Sequence, residues 1–152
     1  MKNLFKLLTS VVLTLILTST SLAETDIPES PEPQPSDLLM GRWISENILY
    51  NRGVELHTEF NFTNSTMTLT GSCVFPAPHG TTLTATLSSQ IEFNGNDLYI
   101  LETKNSLVDD GYRYCKVYVQ PTRWQFYFNG LGKAVLIAPV PYGAQFSLVR
   151  PN

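Results

Sequence analysis

"VELHTEFNFTNSTMTLTGSC", residues 54–73, repeats its apolar groups at every second position. Val54, Leu56, Phe60 and Phe62 fall on one face, and Glu55, His57, Glu59 and Asn61 fall on the other. After Thr63-Asn64-Ser65, the alternation resumes with Met67, Leu69 and Cys73 on one face and threonines between them. A period of two is the mark of a half-buried β-strand. A short polar break between two such runs joins them as a hairpin.

The same rhythm extends in both directions. "TLTATLSSQIEF" (82–93) groups Leu83, Ala85 and Leu87, then Ile91 and Phe93, and its Ser88-Ser89 step predicts a β-bulge or strand bend. "DLYILE" (97–102), "RWQFYF" (123–128), "KAVLIA" (133–138) and "QFSLVR" (145–150) read as further strands. "GYRYCKVYV" (111–119) sets Cys115, Val117 and Val119 against Tyr112, Tyr114, Lys116 and Tyr118. Upstream, "RWISENILY" (42–50) reads as the first strand. Asn94-Gly95-Asn96-Asp97, Gln120-Pro121-Thr122 and Asn129-Gly130 read as turns, since Asn-Gly tolerates the positive φ that tight hairpins need. Residues 76–80, 103–111 and 139–143 read as wider loops. No segment carries ten residues of helical periodicity. The expected fold class is all-β, an antiparallel up-and-down barrel of eight to nine strands, because closure hides strand edges. A β-sandwich is the alternative.

Outside this region the composition changes. Residues 1–23 have a basic start at Lys2 and Lys6, an apolar run through Leu17, and small residues at Ser21 and Ala23. This is the pattern of a secretory signal peptide, so the chain is expected to be exported, to the periplasm or beyond. The apolar core from Leu7 to Leu17 is too short to span a bilayer comfortably, and no membrane anchor is expected. Residues 24–37 hold four prolines and five acids with no base. Such a segment buries too little to order itself and reads as a disordered tether. The folded domain is expected at 38–152, where eight bases and eight acids balance. Those bases are scattered singly, which argues against a nucleic-acid partner. Cys73 and Cys115 are the only cysteines, 42 positions apart, and in an oxidising compartment they are expected to form one disulfide.

Gly41-Arg42-Trp43 opens the first strand, and Arg150 stands just past the last. This arrangement resembles the Gly-x-Trp signature of the lipocalins and the wider calycin superfamily, in the short form found in lipocalin-like barrels of exported bacterial proteins. The resemblance implies that Trp43 plugs the closed end, that Arg150 lies over its indole, and that Gly41 permits a close approach. The Thr-Asp-Tyr motif and the C-terminal helix of long lipocalins have no counterpart. Some periplasmic protease inhibitors also resemble the arrangement of barrel, disulfide and N-terminal segment. That likeness implies an inhibitor in which residues 24–37 are the inserting arm.

Catalytic signatures are missing: no Gly-x-Ser-x-Gly elbow, P-loop or Cys-x-x-Cys occurs. His57 lies between Glu55 and Glu59, but alternation puts all three on the solvated face. No metal site, cofactor or enzymatic activity is expected. The inward aromatics suggest binding instead. Phe60, Phe62, Met67, Leu69, Trp124, Phe126 and Phe128 are the candidate lining for a small apolar ligand. The threonine-rich strands carry few large inward groups, so a cavity is expected opposite the aromatic wall. Tyr112, Tyr114, Tyr118 and Tyr127 are expected as an exposed stripe on two neighbouring strands, suited to a protein partner.

Overall fold

The computed structural model describes residues 32–78, 80–139 and 143–151. Residues 1–23, read as a signal peptide, residues 24–31 of the expected tether, and His79 lie outside the described residues. Among the described residues the elements are one short helix, α1 (Pro35–Leu39), and eleven strands. These are β1 (Gly41–Ser45), β2 (Leu49–Asn51), β3 (Val54–Phe62), β4 (Thr66–Val74), β5 (Thr82–Asn94) and β6 (Asp97–Ile100). They continue with β7 (Lys104–Asp109), β8 (Tyr114–Val119), β9 (Thr122–Gly130), β10 (Lys133–Ile137) and β11 (Gln145–Val149).

Eight antiparallel strands close into a barrel in the order β1, β3, β4, β5, β6, β9, β10, β11. Closure comes from β1, which pairs with β3 through Gly41↔Phe62 and Trp43↔Phe60, and with β11 through Ile44↔Val149. β2 adds a ninth strand along the far part of β3. The run "RWISENILY" is therefore two strands, not one. Its break at Glu46–Ile48 lies between the last β1 pairing with β11 and the return of the chain to β3 as β2. There the Glu46 N–H donates to Ser147 O at 2.7 Å, and the Ser147 N–H donates to Asn47 Oδ1 at 2.6 Å. A side-chain amide thus replaces a ladder partner at the kink.

The long β4–β5 hairpin carries its hydroxyls outward and its apolar groups inward. Thr70 meets Thr86 at 3.1 Å and Ser72 meets Thr84 at 3.0 Å on the exposed face. The expected bulge at Ser88-Ser89 is not there: β5 pairs with β4 in unbroken register from Thr82 to Gln90. Ser89 simply takes an inward position, buried between Leu87 and Ile91, so the pattern never loses its phase. Asn129-Gly130 is likewise not the turn. Both residues stay in β9, a bulge lies between Lys133 and Ala134, and the chain reverses at Leu131-Gly132.

One end of the barrel is stoppered. Trp43 is buried, with its indole N–H donating to Leu39 O at 2.6 Å. The Arg150 guanidinium lies 4.3 Å from the indole centroid and donates to Leu38 O at 2.8 Å. Gly41 has φ +94, and a Cβ there would stand 2.8 Å from Arg150 Nη1. α1 completes the floor, with Leu39 fully buried. Its first three residues, Pro35 to Asp37, precede the boundary read at Leu38. Asp37 fixes this turn by accepting the Gln34 N–H at 3.2 Å.

The largest departure from a simple meander lies between β6 and β9. Residues 103–111, read as a loop, contain β7, and "GYRYCKVYV" is not a barrel strand. β8 pairs only with β7, from Lys104↔Val119 to Asp109↔Tyr114. This hairpin folds across the mouth, with β8 against the inward side of β4. Cys115 is bonded to Cys73, with the Cα atoms 5.7 Å apart, as expected from the cysteine count. β7 escaped detection because it is mostly exposed and has no apolar face to alternate.

Gly71 makes the insertion possible. A Cβ at Gly71 would overlap Val117 Cγ1 and would stand 3.1 Å from Leu56 Cδ1. Gly71→Ala is expected to lower stability by about 1–3 kcal/mol through overpacking. Chemical denaturation in a Val117→Ala background checks the cause: most of the Gly71→Ala loss should disappear there. An equal loss in both backgrounds would separate Gly71 from the hairpin.

A candidate ligand pocket at the barrel mouth

The interior divides into two parts. Below, aromatic rings pack on one another and fill the barrel. Phe60 stacks on Phe62 at 5.9 Å between centroids and meets Phe146 edge-on at 5.1 Å. Phe126 lies edge-on to Phe93 and to Phe128, and Phe128 reaches Trp43 at 6.3 Å. Above them, a cavity of about 300 Å³ opens at the mouth. Its wall comes from Leu56 and Thr58 of β3, Leu69 and Gly71 of β4, Trp124 of β9 and Phe146 of β11. Lys116, Val117 and Tyr118 of β8 form the opposite side. Small residues supply the room where β10 passes toward β11, Ala138 and Ala144.

Two polar atoms within this apolar wall lack partners. Thr58 Oγ1 and Trp124 Nε1 are buried and have no hydrogen-bond partner among the described residues. Thr58 is 6% exposed and Trp124 5%. An orphaned buried polar group costs about 1–3 kcal/mol. The Trp124 ring is held stacked on Phe146, at 6.2 Å and 10° between planes, with Phe60 edge-on at 6.4 Å. The wall therefore offers one fixed N–H donor and one hydroxyl that can donate or accept. Among the described residues its only charge is Lys116, and no acid lines it.

Of the candidate lining residues, Leu69 and Trp124 reach the pocket. Phe60, Phe62, Met67, Phe126 and Phe128 belong to the packed lower barrel instead. The expected cavity opposite the aromatic wall is largely taken by β8, which sits over Gly71. Thr58, Gly71, Lys116 and Val117 were not among the ligand candidates. Thr58 was legible, since it sits in phase with Leu56 and Phe60 on the inward face. The tyrosine stripe is split: Tyr112, Tyr114 and Tyr118 belong to the hairpin or its turn, while Tyr127 lies on the outer wall, paired with Val135.

The remaining electrostatics are surface pairs. Glu59 does not join His57: it accepts two bonds from Arg42, at 2.6 and 2.7 Å, and the hydrogen bonding raises the guanidinium pKa. His57 Nε2 lies 3.3 Å from Glu55 Oε2 on the outer face. The Lys104 ammonium holds Glu102 below its ordinary value, with help from the Gln90 N–H. The N–H groups of Tyr112 and Arg113 lower Asp110, which fixes the β7–β8 turn. Among the described residues no group of three His, Cys, Asp or Glu side chains is placed to hold a metal. Comparison of the chain with protein-family models, with curated proteins and with solved structures finds no match.

Proposed function

We propose that this chain is an exported, lipocalin-like binding module that takes a small, largely apolar molecule into its mouth pocket. The lipocalin-like reading is supported by the floor, where Gly41, Trp43 and Arg150 meet at the closed end. Export is supported by the residue 1–23 pattern and by the disulfide. The observation that carries the binding reading is the orphaned pair, Thr58 Oγ1 and Trp124 Nε1, in an otherwise apolar pocket. A ligand oxygen admitted by a small side-chain movement in the wall would satisfy either group. The volume, at roughly 30 Å³ for a water-sized group, suits a molecule of about ten heavy atoms.

Native mass spectrometry of protein purified from its own host tests this reading by looking for bound mass. Thr58→Val sharpens the test. It removes a costly orphan without changing shape, so the ligand-free protein should be as stable as the wild type or more so. The same change should weaken ligand binding. Tryptophan emission should respond to ligand in the wild type and in Trp43→Phe, but not in Trp124→Phe. A ligand response that survives in Trp124→Phe and vanishes in Trp43→Phe would place the site elsewhere.

A further inference from the structure

Among the described residues, the backbone of residues 114–117 in β8 bonds to β7 alone. Alternate residues of a strand turn their N–H and C=O groups to opposite edges, so this stretch also presents donors and acceptors with no ladder partner. The direction of that edge follows from the packing. β7 runs along β5, while β8 lies over β4, where Cys115 is bonded to Cys73 and Val117 meets Gly71. In the β3–β4 register Leu56 stands opposite Cys73, and Thr58 opposite Gly71. The lane beside the unpaired edge of β8 therefore lies over β3. Two cavities occupy that lane. The mouth pocket spans Thr58 and Leu56, and a second cavity of about 470 Å³ spans Leu56, Val54 and Phe75. Thr58 and Val54 are four residues apart, about 13 Å along one face of a strand. A strand added to β8 would point one side chain into each cavity, four positions apart, with a third over Leu56 between them. The second cavity is lined by Arg52 and Arg113 and, among the described residues, by no acid. Lys116 alternates outward, in opposite phase to the buried Cys115 and Val117.

We propose that a partner protein binds this edge by strand addition, laying an extended segment of alternating apolar and acidic residues beside β8 as the third strand of the β7–β8 sheet. Main-chain hydrogen bonds to β8 hold such a segment, and the cavities select its inward side chains. Its apolar residues face β3 and enter the two cavities. Its acidic residues face outward, where a cross-strand neighbour of Lys116 is best a carboxylate. This goes beyond the small-molecule reading and shares one cavity with it, since the mouth pocket then takes a side chain of the segment in place of a free molecule.

The test titrates the heptapeptide acetyl-Thr-Leu-Glu-Val-Glu-Phe-Thr-amide calorimetrically into the protein with its disulfide intact. Two further versions carry backbone N-methyl groups, one at Leu, Val and Phe, the other at the two Glu. These sets point to opposite edges of the added strand. One set should weaken binding at least tenfold, by removing the bonds to β8, and the other should change it less than twofold. Hydrogen exchange should show the bound peptide protecting the β8 amides that do not pair with β7. Lys116 is exposed, so Lys116→Glu should melt like the wild type. That variant should bind the peptide several-fold more weakly and recover with a peptide carrying Lys in place of both Glu. Equal weakening by both methylated sets, or by neither, would overturn strand addition. Binding indifferent to Lys116→Glu would overturn the acidic character of the partner. A dimer in sedimentation that the peptide dissociates would make a second copy the occupant, and would overturn the assignment to a partner protein. 1-Octanol, a small apolar probe for the mouth pocket alone, separates this inference from the small-molecule reading. Octanol binding without peptide binding would sink the inference and leave that reading standing. Peptide binding without octanol binding would do the reverse.

Discussion

Trp43→Ala should cost about 3–5 kcal/mol of stability, the range for a large core aromatic. The indole is buried at the barrel floor and touches three different things. Phe128 packs on it, Leu39 O accepts its N–H, and the Arg150 guanidinium covers its face. Truncation opens a cavity under α1 and leaves a buried carbonyl without its donor. Arg150→Ala should cost about 1–2 kcal/mol, from lost cation–π attraction and stem packing. The two losses should not add, because each mutation removes the same stacked contact. Denaturant midpoints of the two single variants and the double variant measure this directly. Losses that simply sum would mean that the guanidinium rests on the indole without energetic consequence. Gly41→Ala provides a third probe. Its methyl group meets the mobile end of Arg150, which can move, but the positive φ remains strained in any background.

The floor and the barrel wall were legible because they rest on signals that survive without tertiary context. Period-two alternation at 54–62 and 66–73 fixes which side chains face inward. A barrel follows from having many such strands and few long crossings. The Gly41, Trp43 and Arg150 constellation was legible because its three residues sit at the two ends of the folded region, where the first and last strands must meet. Thr58 was equally available, as the one hydroxyl in the apolar register of β3.

The mouth was not legible in the same way. "GYRYCKVYV" buries one face, and a buried face looks the same whether it completes a wall or covers an opening. Alternation assigned the inward residues Cys115, Val117 and Val119 correctly but could not say what they pack against. The disulfide expectation brought Cys73 and Cys115 together without revealing that β8 and β4 meet face to face, not edge to edge. β7 carries no periodic signal, since its pairing with β8 is a backbone matter and its side chains are largely solvated. Gly71 offered the missing clue. A glycine in a strand interior often marks a close approach of another segment, here the Val117 side chain.

Replacing both cysteines, as Cys73→Ser with Cys115→Ser, should remove about 4 kcal/mol, the chain-entropy value for closing a 42-residue loop. The bridge joins the inward side of β4 to the inserted hairpin, and Cys115 is fully buried. Without it, β8 is held by the contacts of Val117 and Val119 and by its ladder to β7. Nothing in that ladder ties the hairpin to the barrel, since β7 and β8 pair only with each other. Hydrogen exchange should therefore show β8 amides losing protection before those of β3, β4 and β9. The mouth pocket should suffer with it, because Lys116, Val117 and Tyr118 are one of its walls. Ligand binding should weaken even where the barrel itself still melts cooperatively. Unchanged protection in β8, with unchanged binding, would show that apolar contacts alone hold the hairpin in the mouth. Loss of protection in β8 with little global loss would instead identify the hairpin as a separate cooperative unit. In that case the disulfide acts on the pocket more than on the fold: it pins the hairpin to β4, while β5 and β6, inside the closed loop, are held by their own barrel pairings.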